Sequence, residues 1–517
     1  MKKLQLDGNS LSIESLYHAA VGQSTLTFSS GAVKRVNRSR RVVEDWIRRG
    51  ETVYGVTTGF GEFSNVKIDN AHLEQLQENL IVSHAAGAGE PLPHQVVRAM
   101  MILRLNALLK GNSGIRIETL EFLRSVYNAG IIPIVPSRGS VGSSGDLAPL
   151  AHLVLTLLGK GSVLYNGSVM DASIALKRIG LQPLRLAAKE GLALVNGTQM
   201  MTAIGALAVF EAVQLCKLVD IAAAMSVEAL KGSDTAFDPR IQYARPHNGQ
   251  IACAKNMRIL LKKSEIRESH RRGDARVQDA YSIRCIPQVH GASRDAIDYI
   301  YSVISTEINS ATDNPLIFSE AKTHLEGGNF HGQPVALALD FLAIALSEFA
   351  NISERRIDRM INGALSGLPR FLTENGGLNS GMMIAQYTAA SLVSENKVLS
   401  HPASVDSIPT SANQEDHNSM GSISAHKVWQ ILHNVQTVIA IEFMVAAQGI
   451  DFSRMNPSSK RPMVPGVGAK AAHTAIRKHC SHLQGDRILH DDIQILLRLL
   501  KSGEILRAVE DEVGPLQ

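Results

Sequence analysis

The sequence predicts an all-α protein: a core bundle of long helices, with a smaller N-terminal region that carries a reactive loop. Three observations predict it. Apolar residues recur at helical spacing over long spans, from Ser293 to Ala311, His331 to Ile361, Gly381 to Leu399 and Ser424 to Gln448. Alternating strand patterns are scarce, which confines strands to the N-terminal part and to short loops. The 517 residues are 45% apolar and 19% charged, enough for a large core and too apolar for disorder. Helices this long and apolar pack as a bundle, and their remaining faces call for subunit partners. The expected division is residues 1–230 for the loop-bearing domain and 231–517 for the long-helix domain.

In chain order, residues 8–50 read as short helices, with Ser10 and Ser15 as capping residues and helical spacing from Val33 to Arg49. The run Tyr54-Gly55-Val56-Thr57-Thr58-Gly59-Phe60-Gly61 holds too many glycines and threonines for anything but a loop. Asn70–Ala86 and Pro93–Lys110 are amphipathic helices. Ile115–Asn128 is another, closed by Gly130 in a left-handed conformation. Asp171–Ile179 is a short helix ended by Gly180. Ala187–Lys231 consists almost wholly of helix formers, with one kink expected at Asn196-Gly197. Residues 232–290 turn polar and irregular and are expected to form a long functional loop. A polar, proline-bearing stretch from Asp451 to Gly468 separates the last helices, which include Asp491–Leu500.

Several function classes are disfavoured by composition. A net charge of +4 spread over 517 residues is too weak to argue for nucleic acid, and the densest basic run, Lys34–Arg49, is interrupted by Glu44 and Asp45. Cys216, Cys253, Cys285 and Cys480 are widely spaced, without a C-x-x-C or a disulfide framework, so a reducing cytoplasm is expected. The N-terminal residues lack the apolar segment of a signal peptide. Gly191–Phe210 is long enough to span a bilayer, but Asn196, Thr198, Gln199 and Thr202 within it favour a buried central helix. No H-E-x-x-H or EF-hand pattern occurs, and no metal is expected.

One stretch stands apart: Gly142-Ser143-Ser144-Gly145-Asp146-Leu147-Ala148-Pro149-Leu150. Taken alone, Ser143-Ser144-Gly145 is a tight turn ahead of a helix. It is also a tripeptide able to cyclise. Attack of the Gly145 nitrogen on the Ser143 carbonyl carbon closes a five-membered ring, and loss of two waters leaves an exocyclic methylene on an imidazolone. Glycine suits the third position because a Cβ would hinder that approach; serine is needed second because its hydroxyl leaves. A serine-hydrolase elbow is not supported, since Asp146 stands where G-x-S-x-G needs its last glycine. Five further polar runs interrupt apolar helical sequence: Asn79–Gly87, Asn196–Gln199, Gln278–Cys285, Asp313–Pro315 with Gly327–His331, and Ser411–His417 after Ser400-His401-Pro402. Each alone suits a cap or loop. Burying polar groups without partners costs roughly 2–7 kcal/mol apiece, so five such runs together point to a site.

These residues, in content and order from about Tyr54 to Met444, resemble the aromatic amino acid ammonia-lyase and aminomutase family. That family forms a 4-methylidene-imidazol-5-one (MIO) electrophile, usually from Ala-Ser-Gly; here Ser143 replaces the alanine. Histidine-specific members are most similar, because Ser83-His84 and Glu415 supply a polar pocket for an imidazole, where a phenyl ring wants an apolar one. The resemblance implies that L-histidine is converted to trans-urocanate and ammonia. Its implied site comprises Ser143, Ser144 and Gly145 as MIO precursors and Tyr54 as the base, provided its pKa is lowered. Glu415 is a rival base or a holder of the imidazole. Tyr281 protonates the leaving group or orients the cofactor, and Arg284 pairs with the substrate carboxylate. Ser83 and His84 flank the substrate ring, and Asn196, Gln278 and Phe330 position cofactor and substrate. The start of the helix at Leu147–Leu150 would stabilise negative charge on the ring. Two further departures are Thr57, where histidine-specific members often have Asn, and Ala280, where Pro is frequent. A homotetramer with sites built from several subunits is also implied. The alternatives are a tyrosine or phenylalanine ammonia-lyase or aminomutase, and a catalytically silent helical scaffold.

Overall fold

The computed structural model describes residues 3–22, 24–59, 61, 68–274, 276–455 and 461–517. Phe60, within the glycine-rich Tyr54 loop, lies outside the described residues. The chain is mostly helical, as expected. The strands run from two to four residues each, and several sit in short loops. The chain divides into two compact units, each discontinuous in sequence.

The first unit comprises Met1–Phe210, Ile300–Asp340 and Pro402–His426. Its N-terminal strands, Lys3–Leu6 and Thr25–Phe28, pair in parallel. The helix Ile13–Gly22 is capped by Ser12, whose Oγ accepts from the Ser15 amide at 3.1 Å, rather than by the expected Ser10 or Ser15. The basic run forms the helix Ser30–Arg49, with Ser29 as its cap. At the centre lies the helix His94–Leu109, buried at every position from Val96 on except Arg98. A helix apolar all round belongs in a core; this one also carries Arg104 and Asn106 there, both fully buried. Gly130 is left-handed (φ 76°) beyond the helix Ile117–Asn128, as its position predicts. The expected kink is a full break: the helix Glu190–Val195 ends at Asn196, and a new helix, Gln199–Ala229, begins past Gly197 and Thr198.

The second unit comprises Glu211–Tyr299, Phe341–His401 and Lys427–Gln517. Its core holds a fully buried ion pair, Arg356 with Glu442, at 2.5 and 2.9 Å. Ser226 and Ser353 donate to the same carboxylate at 2.7 and 2.6 Å. Such a pair is tolerable only because its hydrogen-bonding capacity is met.

Residues 232–290 are not a long loop: they include the helices Pro239–Ala244, Asn248–Leu260 and Tyr281–Arg284. Asn248–Leu260 escapes a periodicity reading because Gln250 and Asn256 lie on its buried face beside Cys253, Met257 and Leu260. The single boundary expected after residue 230 differs from the division seen, which first changes unit between Phe210 and Glu211, inside one long helix. Gln199–Ala229 is long and apolar enough to cross a membrane by length and composition, yet 72% of its most apolar window is buried inside the protein.

Candidate active site

The Gly142–Asp146 loop lies in the first unit between two helix starts. The helix Leu147–Leu155 begins directly after Asp146, but Asp146 does not cap it. Its Oδ2 instead accepts from the amides of Met200 and Met201, each at 2.9 Å, and so caps the helix Gln199–Ala229. The Asp146 amide donates to the Gly197 carbonyl at 2.7 Å, and Gly145 pairs with Gly197 in an isolated bridge. Asp146 is fully buried. Burial pushes its carboxyl up to about 7, against the pull of the two amides and Ser140, with Glu307 adding to the rise. The break at Asn196–Thr198 thus meets this loop through the Gly197 carbonyl and the amides of Met200 and Met201.

Gly145 has φ 76°, and a Cβ there would stand 2.1 Å from the Gly197 carbonyl oxygen, so no larger residue fits. Gly142 is also left-handed (φ 68°), and a Cβ there would displace Ser419 Oγ, 2.2 Å away, which donates to the Gly142 carbonyl at 2.9 Å. The Met420 amide donates to the Val141 carbonyl at 2.9 Å, and Ser422 donates to the Ser140 carbonyl. The loop is thus bound along one side to Ser419–Ser422.

The same segment delivers Glu415. Ser144 Oγ donates to Glu415 Oε1 at 2.9 Å, and Thr410 Oγ1 donates to Oε2 at 2.7 Å. Thr410 and Glu415 also pair through their backbones around a turn in which Ser411, Ala412 and Asn413 are all left-handed (φ 52°, 53° and 68°). His84 stands at the end of the helix Leu73–His84, its Nδ1 3.1 Å from Ser83 Oγ. Burial holds its imidazole below the ordinary value, while Glu415 pulls it up.

Tyr54 heads its loop, anchored by a cluster of Val42, Val43, Trp46, Val53, Val56, Leu73, Ala188 and Ile317. Its hydroxyl accepts from the Gly61 amide at 3.3 Å. The lowered pKa that a base role requires is not found in this chain: burial raises it, and Glu326, Glu415 and Asp313 raise it further. Thr57 is buried and spent on the loop itself, accepting from the Val53 amide and donating to the Glu51 carbonyl.

Asn196 is buried, and its Oδ1 has no protein partner. Its carbonyl accepts from Arg104 Nη1 at 2.9 Å, and Arg104 also donates to Gln199 Oε1 at 2.7 Å. Beside it, Lys189 Nζ pairs with Asp313 at 2.9 and 3.0 Å, both side chains buried. Phe330 is half-buried just ahead of the helix Gln333–Ile361.

Thus Ser143, Ser144, Gly145, Asn196 and Glu415 are joined through hydrogen-bonded neighbours, and Tyr54, Ser83, His84 and Phe330 belong to the same unit. Gln278, Tyr281 and Arg284 belong to the second unit. There Gln278 and Tyr281 are exposed, the Arg284 guanidinium lies 4.6 Å from the Tyr281 ring centre, and Arg284 Nε is buried without a protein partner. Asp220, Cys253 and His290, also in the second unit, bring ligand-type atoms together, but the Asp220 carboxylate is matched by Arg294 at 2.6 Å, His290 at 2.7 Å and Asn256 at 2.9 Å. Sequence reasoning missed Asp146, Thr410, Arg104 and Lys189. An acid directly ahead of an apolar run is a signal for Asp146, but it points to the wrong helix. The buried Arg and Lys leave no sequence signal apart from lying on apolar helical segments.

The description "Aromatic amino acid lyase" belongs to a family model that matches residues 11–478. A histidine ammonia-lyase of Alkaliphilus oremlandii (strain OhILAs) is 54% identical over 513 residues, 99% of this chain and 99% of that protein. One from Caldanaerobacter subterraneus subsp. tengcongensis is 52% identical, again over 99% of both. Among solved structures, histidine ammonia-lyase from Trypanosoma cruzi superposes with a TM-score of 0.91 at 45% identity, covering 99% of this chain and 96% of that one. Tyrosine aminomutase from Streptomyces globisporus gives 0.93 at 38% identity, with both chains fully covered. The backbone alone therefore does not separate the two activities.

Proposed function

The chain belongs to the aromatic amino acid lyase family, and we propose that it is a histidine ammonia-lyase, releasing ammonia from L-histidine to give trans-urocanate at the first step of histidine breakdown. Full-length relatives of that name support the activity. The single observation that carries the choice of substrate is Glu415, whose carboxylate stands 2.9 Å from the Ser144 side chain in the unit that holds His84. An imidazole presents N–H and N: groups, and a carboxylate beside a neutral histidine meets both. A phenyl ring has no group to meet either, and a phenol brings a single hydroxyl where an imidazole brings two ring nitrogens; a site built to hydrogen-bond its substrate rejects an analogue that lacks the matching groups.

The residues fit an MIO group made from Ser143-Ser144-Gly145. Gly145 is confined by the Gly197 backbone so that no Cβ fits, Gly142 is left-handed against Ser419, Asn196 Oδ1 is buried and unmatched, and Ser143, whose side chain the ring chemistry retains, is buried. When formed, that group supplies the electrophile that makes the substrate amine a better leaving group. Asn196, held through its carbonyl by Arg104, would position the ring, and the two adjoining helix starts would favour negative charge upon it. Phe330 would bound the substrate on another side. His84 and Glu415 would hold the imidazole, Ser83 orienting His84. Arg284 would bind the substrate carboxylate, with Gln278 beside it, and Tyr281 would protonate or orient the leaving group.

Tyr54 is proposed as the base that takes the β-hydrogen. Burial raises its pKa, and Glu326, Glu415 and Asp313 add to the rise; Arg284 of another copy is our candidate for the cation that offsets it. That reading accords with a homotetramer whose sites draw on several subunits; exposed Tyr299, Phe341, Ile344, Ile384 and Tyr387 in the second unit supply apolar surface for it. A cytoplasmic location suits the four free thiols.

The test is near-ultraviolet absorbance with L-histidine, in parallel with L-tyrosine and L-phenylalanine. Urocanate growth with histidine alone is expected. Turnover of tyrosine or phenylalanine only would keep the family chemistry and refute the pocket argument. Silence in every well, with an intact mass equal to the unmodified chain, would point to the scaffold reading.

A further inference from the structure

We infer that Glu415 is a catalytic residue of the chain's self-modification, carrying the proton that turns the Ser144 hydroxyl into water. The inference rests on the reading that Ser143-Ser144-Gly145 cyclises. Its basis is geometric. In the unmodified chain the oxygen that must leave, Ser144 Oγ, is hydrogen-bonded to Glu415 Oε1 at 2.9 Å. The other carboxylate oxygen is held by Thr410 at 2.7 Å, and the backbones of Thr410 and Glu415 pair at 3.0 and 3.3 Å, so the carboxylate is fixed before substrate is present. Asn418, fully buried, locks the turn by donating to the Ile408 carbonyl at 2.6 Å and to Thr410 Oγ1 at 3.2 Å.

The chemistry balances without an outside reagent. In ring closure the Gly145 nitrogen bonds to the Ser143 carbonyl carbon, and its proton passes to the carbonyl oxygen. That oxygen departs as the first water with the Ser144 amide proton, leaving a C=N bond. In the second loss the Ser144 Cα–H bond breaks and its electron pair forms Cα=Cβ as the Cβ–Oγ bond breaks. Ring closure places that Cα between a carbonyl and the new C=N bond, which makes its proton acidic. The Glu415 carboxylate takes the Cα proton and hands it to Oγ, which leaves as the second water; the carboxylate is regenerated. Loss of the hydroxyl then vacates Oε1, leaving that oxygen free to accept from the substrate imidazole. One carboxylate thus serves maturation first and substrate binding afterwards, and the first event clears the way for the second.

The experiment follows maturation by intact mass and near-ultraviolet absorbance after pulsed cell-free synthesis, with no substrate added. Wild type should become lighter by two waters. Glu415→Gln keeps an acceptor for the Ser144 hydroxyl but cannot relay a proton. It should stall at the loss of one water or revert to the unmodified mass, with the second loss slowed roughly 10²-fold or more. Glu415→Asp keeps the relay on a shorter arm and should mature at an intermediate rate, which guards against a Gln variant that fails to fold. Full maturation of Glu415→Gln at the wild-type rate would overturn the inference while leaving the cyclised group intact. A wild-type chain that loses no water would instead refute the reading on which the inference stands.

Discussion

Replacing Arg104 by methionine sets two sizeable effects against each other. The guanidinium is fully buried and donates to the Asn196 carbonyl at 2.9 Å and to Gln199 Oε1 at 2.7 Å. Methionine fills most of the volume but leaves both acceptors unpaired, at about 1–3 kcal/mol each. Against this, the charge itself is costly to bury: desolvation brings Arg104 down to about 10 from 12.5, equivalent to about 3 kcal/mol at ~1.4 kcal/mol per pKa unit. The loss and the relief nearly offset, so the net destabilisation should be about 0–3 kcal/mol. Catalysis has no such offset. The Asn196 carbonyl loses its anchor, the Gly197 carbonyl over Gly145 shifts with it, and a displacement of about 1 Å costs on the order of 10² in rate. Chemical denaturation at matched protein concentration should therefore show a modest change, while kcat falls by about 10–10²-fold with KM little altered. A kcat equal to wild type would refute the positioning argument. A loss of more than about 5 kcal/mol with kcat preserved would show that the network serves the fold alone.

Other outcomes follow from single contacts. If Tyr54 is the base, kcat/KM should climb with pH across the alkaline range, because its raised pKa leaves the phenol protonated at neutrality; Tyr54→Phe should abolish that limb, and an unchanged pH profile would exclude Tyr54. For Asp146, the folded carboxyl at about 7 lies above its ordinary value of 3.8, so between these values the folded chain holds a proton that the unfolded chain has released. Its stabilising contribution is therefore complete below about 4 and lost as pH rises through about 7; Asp146→Asn should flatten that slope in denaturation curves taken across this range. Thr410→Val removes the donor to Glu415 Oε2, and with hydrogen bonds to charged groups contributing about 1.5–3 kcal/mol, KM for histidine should rise about tenfold or more; an unaltered KM would free Glu415 from any dependence on Thr410.

Much of this architecture is legible in the sequence because it rests on local rules. Long apolar periodicity marks the helices, Gly130 and Gly180 mark helix ends, and Asn196-Gly197 interrupts a run of helix formers. The five polar runs stand out because apolar helices seldom tolerate them. What escapes is set by partners remote in sequence. Asp146 precedes one helix yet caps another, a choice made by the tertiary fold and not by spacing. Lys189 looks like a surface residue on a helical run, whereas the fold buries it against Asp313. The helix Asn248–Leu260 hides because its buried face is partly polar, with Asn256 satisfied by Asp220. The lowered pKa that would make Tyr54 a base is not seen because the fold buries the phenol, and Glu326, Glu415 and Asp313 add to the rise.

The turn ahead of Glu415 carries one more consequence of the fold. Ser411, Ala412 and Asn413 are left-handed in succession (φ 52°, 53° and 68°), a conformation that costs non-glycine residues about 1–2 kcal/mol each. Asn tolerates it, but alanine gains nothing in return, so the strain at Ala412 is borne by what surrounds it: the paired backbones of Thr410 and Glu415 and the buried Asn418. Strain of this kind persists where a side chain must be aimed, and here the side chain is Glu415. Ala412→Gly removes about 1–2 kcal/mol of strain but returns about 0.4–1 kcal/mol to the unfolded chain as entropy. Stability should rise slightly, by up to about 1 kcal/mol. Activity should move the other way, because a relaxed turn holds the carboxylate less firmly, and maturation should slow along with turnover. A variant that is more stable, matures at the wild-type rate and turns over histidine undiminished would show that the left-handed turn is incidental to the aim of Glu415.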